Sequence, residues 1–435
     1  MRIAVAVPSL EAAAPQRRAL DAMLGRMVEE GCDVEAFAEH DRTSDVAPFP
    51  IHHYLRLPER HVERAFDIAL YPLGRDASPY QGVWALMHRF PGVVWFLDAV
   101  AHHLAVGGIA LMGDWASYRE MLDDAYGDTG AAVAQTVASN WGTGALFRRY
   151  DLVAAAARGQ RCVLASWPAL ARRIESRLDD VPVGVAPLGV DAPSVVQAAA
   201  AGTADTGRIA LMSVNESYAT TAVRAAAAAL ELDDTHGVTL CLSEPIYKAE
   251  GKRVAEHLGV LERIDWRLTT SPGELAEIAA THDVLVWLAE ELQGGHRVLL
   301  LDGMRAGKAT VVPRCGLYDD LPDGAVARLD LGRTLPVAFA ALLDALRADP
   351  ALCCGLGAAG RAFAGEEPDA ASAARTLIDH LDAAATGFTL REAPVSAPAW
   401  AAVRAGMLDA TLPGAVAPVV ERHIADLLPT PGPKG

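Results

Sequence analysis

Apolar residues along this chain come in two alternating patterns: short unbroken runs, and longer stretches with helical spacing. Arg2–Val7 is an unbroken run, as expected of a strand buried on both faces of a parallel sheet. Arg17–Glu30 follows, with Leu20, Met23, Leu24, Met27 and Val28 spaced to cover one helix face and Gly31 to stop it. The alternation continues. Val34–Ala38, Tyr54–Leu57, Asp67–Tyr71, Gly92–Leu97 and Cys162–Ala165 are predicted strands, and His52 and His53 are placed on a surface strand. Val83–Phe90, Leu152–Ala157 and Ala169–Leu178 are predicted helices, with YPLGRDASPY a loop and a longer helical insert running through Tyr126 and Trp141. Val181–Asp191 reads as a strand and a turn. Strands alternating with helices predict a doubly wound parallel sheet.

The stretch 192–207 is small, polar and alanine-rich. A second series starts beyond it, with predicted strands at Arg208–Val214, Val238–Leu242, Ile264–Leu268, Val284–Leu288 and Ala309–Val312. Predicted helices lie at Thr220–Leu232, Ala249–Leu258, Pro272–Thr281, Arg297–Arg305, Leu335–Ala348 and Ala370–Ala385. The fold class is therefore α/β with two Rossmann-like domains, 1–190 and 208–385, a linker at 191–207, and a tail at 386–435 with helical patterns at Ala399–Leu408 and Gly414–Leu428. The last of these is amphipathic, and the tail is expected to pack back on the first domain.

One unit of the second series carries candidate chemistry. The strand Val284–Leu288 runs into Glu290, Glu291, Leu292, Gln293, Gly294 and Gly295, and the next helix begins at once. A helix N-terminus presents unpaired N–H groups and the positive end of its dipole, an environment suited to phosphate or diphosphate.

Composition narrows the classes. A net charge of −17 over 435 residues argues against a nucleic-acid surface and leaves membrane contact at most peripheral. Six cysteines with no CxxC pair, lying mostly in apolar runs, point to reduced thiols and a cytoplasmic protein. The N-terminal apolar run is a first strand rather than a leader, and Val93–Met112 contains Asp98, His102 and His103, which rule out a span.

Five segments in order carry a family resemblance. LYPLGRDASPYQGVWALMHRFPGVVWFLDAVAHH (70–103), RYDLVAAAARGQRCVLASWPALARRI (149–174), VAPLGVD (185–191), LGVLERIDWRLTTSPGELAEIAATHDVLVWL (258–288) and LLLDGMRAGKATVVPRCGLYDDLPDG (299–324) resemble the retaining nucleotide-sugar glycosyltransferases of the GT-B fold called group 1 or family 4. The resemblance implies two domains facing across a cleft, with the acceptor on the first and a nucleoside diphosphate sugar, the donor substrate, on the second. The acceptor would be a glycan, a lipid-linked saccharide or a small molecule. No resident cofactor is implied, and no HExxH, DxD-type or Cys/His cluster demands a metal.

Residue by residue, the resemblance puts Asp302 at the family's second hallmark glutamate, on the nucleotide ribose, and Gly294 at the first, with Glu290 or Glu291 as substitutes on the donor sugar. The amides of Gly295, His296 and Arg297 would face the diphosphate, and the side chain of His296 or Arg297 would replace a cation missing from SVNESYATTAVRA (213–225). Asp98 with His102 or His103 would stand near the acceptor, Leu97 occupying the place of an expected histidine. The first loop, PSLEAAAPQRR, lacks the family's glycines. These departures keep a second class open: a glycosyltransferase-like protein without turnover, serving as a binding or partner subunit.

Overall fold

The computed structural model describes residues 1–8, 15–38, 48–75, 77–110, 114–178, 181–189, 191, 207–214, 216–232, 237–242, 247–268, 272–288, 294–332 and 334–392. Two parallel sheets organise them. The first contains β1 (Arg2–Ala6), β2 (Asp33–Ala38), β3 (Ile51–His53), β4 (Ile68–Leu73), β5 (Val93–Phe96), β6 (Cys162–Ala165) and β7 (Val183–Val185), in the order β3-β2-β1-β4-β5-β6-β7. The second contains β8 (Arg208–Val214), β9 (Gly237–Leu242), β10 (Ile264–Leu268), β11 (Val284–Trp287), β12 (Ala309–Pro313) and β13 (Ala327–Leu329), in the order β10-β9-β8-β11-β12-β13. Every strand pairing is parallel. The strand order reverses between β1 and β4 and between β8 and β11, and crevices open at the carboxyl ends of strands flanking such reversals.

The unbroken apolar runs are explained by burial: β1, β4, β5, β11 and β12 are covered on both faces along their whole length. Three expectations are corrected. The strand expected at Tyr54–Leu57 is instead a 3-10 turn, Tyr54–Arg56, running into the helix Leu57–Glu63, because the sheet pairing falls on Ile51–His53. His53 is not a surface residue: it is 2 % exposed and its Nδ1 accepts the Leu55 N–H. The loop expected at YPLGRDASPY is partly helix, the segment Ala77–Arg89 beginning inside it.

The last described helix, Ala370–Ala385, packs on the first sheet rather than closing the second. Its Ala370, Ala373, Ala374, Leu377 and Leu381 join Ile3, Val5, Leu20, Met23 and Leu24 in one core. Gly189 permits the crossing, since a Cβ there would lie 2.5 Å from both the Asp369 carbonyl and the Ala373 methyl. Arg161 secures the far end by donating to the carbonyls of Ala384 and Thr386. The tail patterns at Ala399–Leu408 and Gly414–Leu428 lie outside the described residues. No helix among the described residues is long and apolar enough to cross a membrane.

Candidate active site

Residues that follow β4, β5 and β12 and the helix that follows β11 meet between the sheets: Asp98 shares a cavity with Cys315, Gly316 and Asp319, and the charge of Arg75 reaches His296. On the second-domain side, the helix Gly294–Arg305 starts directly at the glycine pair, so Gly295, His296 and Arg297 form its first turn. Its N–H groups lack intrahelical acceptors, as in any helix start. Glu290 and Glu291 lie outside the described residues, as do Asn215 and the glycine-free first loop at 9–14.

Asp302, two turns along, is fully buried. Burial pushes its carboxyl up to about 6, against the pull of Arg18 and Arg305. Arg18, from the first-domain helix Pro15–Glu29, donates to Oδ2 at 3.4 Å, and Arg305 donates to Oδ1 at 3.4 Å. Both contacts are long for charge-assisted hydrogen bonds, which settle near 2.7–2.9 Å. The carboxylate is therefore held near, but not gripped by, its two cations.

Arg297 behaves differently from the expectation of a phosphate-facing cation. Its side chain is 7 % exposed, with Nη2 2.8 Å from Asp320 and 3.1 Å from Glu367. Its guanidinium also sits 5.5 Å from the ring centroid of Trp167 in the first domain. Two carboxylates and an aromatic face already engage this charge, which makes the Arg297 side chain a clamp between domains. His296 is no substitute: burial, then the charge of Arg75, lower its ring to about 4, so it is neutral at pH 7, and its buried Nδ1 makes no hydrogen bond among the described residues.

On the first-domain side, Asp98 follows β5 and is 5 % exposed, with Oδ1 accepting the Val100 N–H at 3.1 Å. It lines a cavity of about 400 Å³ that also touches Cys315, Gly316 and Asp319 of the second domain. Leu97 turns the other way, into the core. His102 does not reach the cavity. It is fully buried; its Nδ1 meets the Tyr150 carbonyl oxygen and its Nε2 accepts the Tyr118 hydroxyl at 2.6 Å. Both nitrogens are engaged and burial lowers the ring to about 4, so the expected catalytic part is corrected to a structural one. His103 has its ring edge-on to Phe147 at 4.7 Å and a buried Nε2 without a hydrogen bond among the described residues. Burial, then Arg75, His102 and Arg148, lower it to about 3.

Arg75 is the residue that sequence reasoning passed over. It follows β4, one residue past Gly74, and its charge reaches His103 in the first domain and His296 at the helix start of the second. The available signal was its place at the end of a buried strand next to a sheet's order reversal. Among the described residues no group of three or more His, Cys, Asp or Glu is arranged to hold a metal ion.

Two parallel-sheet domains across a cleft, with the final described helix returning to the first, are the GT-B fold. Solved structures of that fold superpose over most of the chain. Sucrose-phosphate synthase from Thermosynechococcus elongatus is 14 % identical with a TM-score of 0.60, covering 89 % of this chain and 100 % of that one. Anabaena HepE, solved in complex with UDP and glucose, is 14 % identical with a TM-score of 0.58, covering 88 % of this chain and 100 % of its own. WaaG, a glycosyltransferase of lipopolysaccharide biosynthesis, is 14 % identical with a TM-score of 0.57 over 87 % of this chain and 99 % of its own. No protein-family model and no curated protein sequence matches the chain.

Proposed function

We propose that the protein is a glycosyltransferase that moves a glycosyl group from a nucleoside diphosphate sugar to an acceptor hydroxyl. The observation that carries this reading is the glycine-started helix Gly294–Arg305, whose His296 lies within reach of the charge of Arg75 from the first domain. HepE's complexes with UDP and with UDP-glucose support a nucleotide sugar as the donor.

In this reading the donor diphosphate lies against the amides of Gly295, His296 and Arg297. Preorganised N–H groups and a nearby guanidinium stabilise charge that grows on the leaving diphosphate as the glycosidic bond breaks. Arg75 is the cation whose charge reaches the helix start at His296. Asp302 accepts hydroxyl hydrogens from the ribose, its contacts to Arg18 and Arg305 being long enough to yield. The sugar passes through an oxocarbenium-like state, and Asp98 lies beside the incoming acceptor. His103, with a ring lowered to about 3, carries no proton at neutral pH and is a weak base, so its service is to accept a hydrogen bond. Glu290 or Glu291 on the donor sugar completes the proposal.

The test is a calorimetric titration with UDP, GDP and a panel of nucleotide sugars. Wild type is expected to bind one nucleotide, and Arg75→Ala and Asp302→Ala to weaken that binding by about tenfold, the equivalent of 1.4 kcal/mol. Failure of every nucleotide to bind at millimolar concentration would end the reading. A second reading, a binding subunit without turnover, is favoured by Gly294 at the place of the first hallmark glutamate. It predicts nucleotide binding without donor hydrolysis, whereas the enzyme reading predicts slow release of free sugar when no acceptor is present.

A further inference from the structure

The cavity beside Asp98 has a strongly basic wall. Arg148, at the end of the helix Gly144–Arg149, and Arg172 and Arg173, on the helix Pro168–Glu175, line it on the first-domain side. Arg173 donates to the Arg148 carbonyl at 3.1 Å and stands 3.7 Å from Asp151, a carboxylate that Arg177 approaches to 2.9 Å. One carboxylate thus serves two guanidinium groups. Arg172 is exposed, and its side chain makes no hydrogen bond or ion pair among the described residues. Burial and the charges of Arg177 and Arg148 all disfavour the cation at Arg173, Asp151 opposing them. Like charges this close repel one another; Asp98 and Asp319 line the same cavity, and the chain as a whole carries a net charge of −17.

We propose that this wall is an anion-binding acceptor subsite, so that the acceptor carries a phosphate or carboxylate group within reach of Arg148, Arg172 and Arg173. The inference rests on the glycosyltransferase reading and deepens it. Planar guanidinium forks match both anions in bidentate geometry. The donor diphosphate is the other anion in the cleft, but its place is the helix start at Gly294, where the charge that reaches His296 is Arg75 and not any arginine of this wall. All three wall arginines belong to the first domain, which also presents Asp98.

The experiment titrates wild type, Arg172→Ala and Arg148→Ala with glucose 6-phosphate, glucuronic acid and glucose, each with and without UDP, by calorimetry or ligand-observed NMR. At least one charged sugar is expected to bind wild type roughly tenfold more tightly than glucose, as one or two partly screened charge contacts allow, and the advantage should shrink as salt is raised. Which charged sugar wins distinguishes phosphate from carboxylate. Arg172→Ala should lose the advantage with unchanged UDP affinity; its exposed, unpaired side chain makes a folding defect unexpected, and Arg148→Ala supplies an independent loss. Equal binding of all three sugars to wild type, including no binding, overturns the proposal. So does an Arg172→Ala protein that keeps the charged-sugar preference and loses UDP, which would hand the wall to the donor. Failure of UDP alone to bind counts against the parent reading only, because the sugar titrations without nucleotide still report the preference.

Discussion

Asp302→Asn should make the ligand-free protein more stable and the nucleotide complex weaker. The carboxyl is fully buried and is raised from its ordinary 3.8 to about 6, burial outweighing Arg18 and Arg305. A raised carboxyl binds more protons in the folded state than in the unfolded one between those two values. Stability contributed by this group is therefore present below pH 3.8 and lost as pH rises through about 6. At 1.36 kcal/mol for each factor of ten in the ionisation constant, the ionised group costs about 3 kcal/mol above that window. Asparagine has nearly the same shape and no charge to bury. The attraction of Arg18 and Arg305 for the ionised carboxylate is already contained in the value of about 6, so it is not subtracted again. The net expectation is a gain of about 3 kcal/mol near pH 8 that has nearly vanished near pH 4. Urea unfolding of both proteins across this range measures it, other titrating groups cancelling in the difference. A variant no more stable than wild type at the alkaline end, or a difference that does not change with pH, would refute the reasoning. Weaker UDP binding by the stabilised variant would give the reason for keeping the acid: stability forgone for a ribose contact.

The other predictions can be checked with the same proteins. Arg297→Ala leaves Asp320 and Glu367 facing each other without their shared cation and should destabilise by about 3 kcal/mol, as loss of one partner from a buried pair does, seen as a lower urea midpoint. His88, His102, His103 and His296 all have rings lowered to about 4 or about 3 by burial; lowered histidines contribute stability that is present above about 6.5 and lost as pH falls towards 4, so thermal unfolding should drop over that interval and His102→Gln should flatten the slope. Gly357→Ala places a methyl 2.1 Å from the Gly307 carbonyl oxygen and should cost at least about 2 kcal/mol through displacement of the helix Pro350–Glu366, measurable as a fall in Tm, whereas Gly355→Ala, with open space at its Cβ, should not lower it.

Much of the architecture was legible because strands buried on both faces leave unbroken apolar runs: Arg2–Val7, Gly92–Leu97 and Val284–Leu288 lie within a residue or so of the observed β1, β5 and β11. The helix Pro350–Glu366 was missed for a physical reason. It contains Gly355, Gly357, Gly360 and Gly365, which read as helix-breaking, yet Gly357 serves close packing against the Gly307 turn, an interaction no local pattern reveals. The crossing of Ala370–Ala385 was misplaced for a similar reason: its apolar face shows that it packs, not on what. At the site, strand ends and the glycine-started helix could be found from spacing. What a side chain does with its charge could not. Arg297 looked like a helix-start cation until Asp320, Glu367 and Trp167 appeared around it, and His102 looked like a cleft histidine until Tyr118 and Tyr150 took its nitrogens. Both depend on partners distant in sequence.

The return of Ala370–Ala385 to the first sheet fixes the order in which the molecule can be completed on the ribosome. The first domain begins the chain, but its core lacks Ala373, Leu377 and Leu381 until residue 385 has emerged. The second domain's strands among the described residues, the last ending at Leu329, are made before that. The N-terminal half must therefore wait, with Ile3, Val5 and Leu20 incompletely covered, while the half synthesised after it finishes. A nascent chain stalled before the returning helix would present that uncovered surface to chaperones, and a protein cut at residue 369 would lose its first domain's integrity before its second.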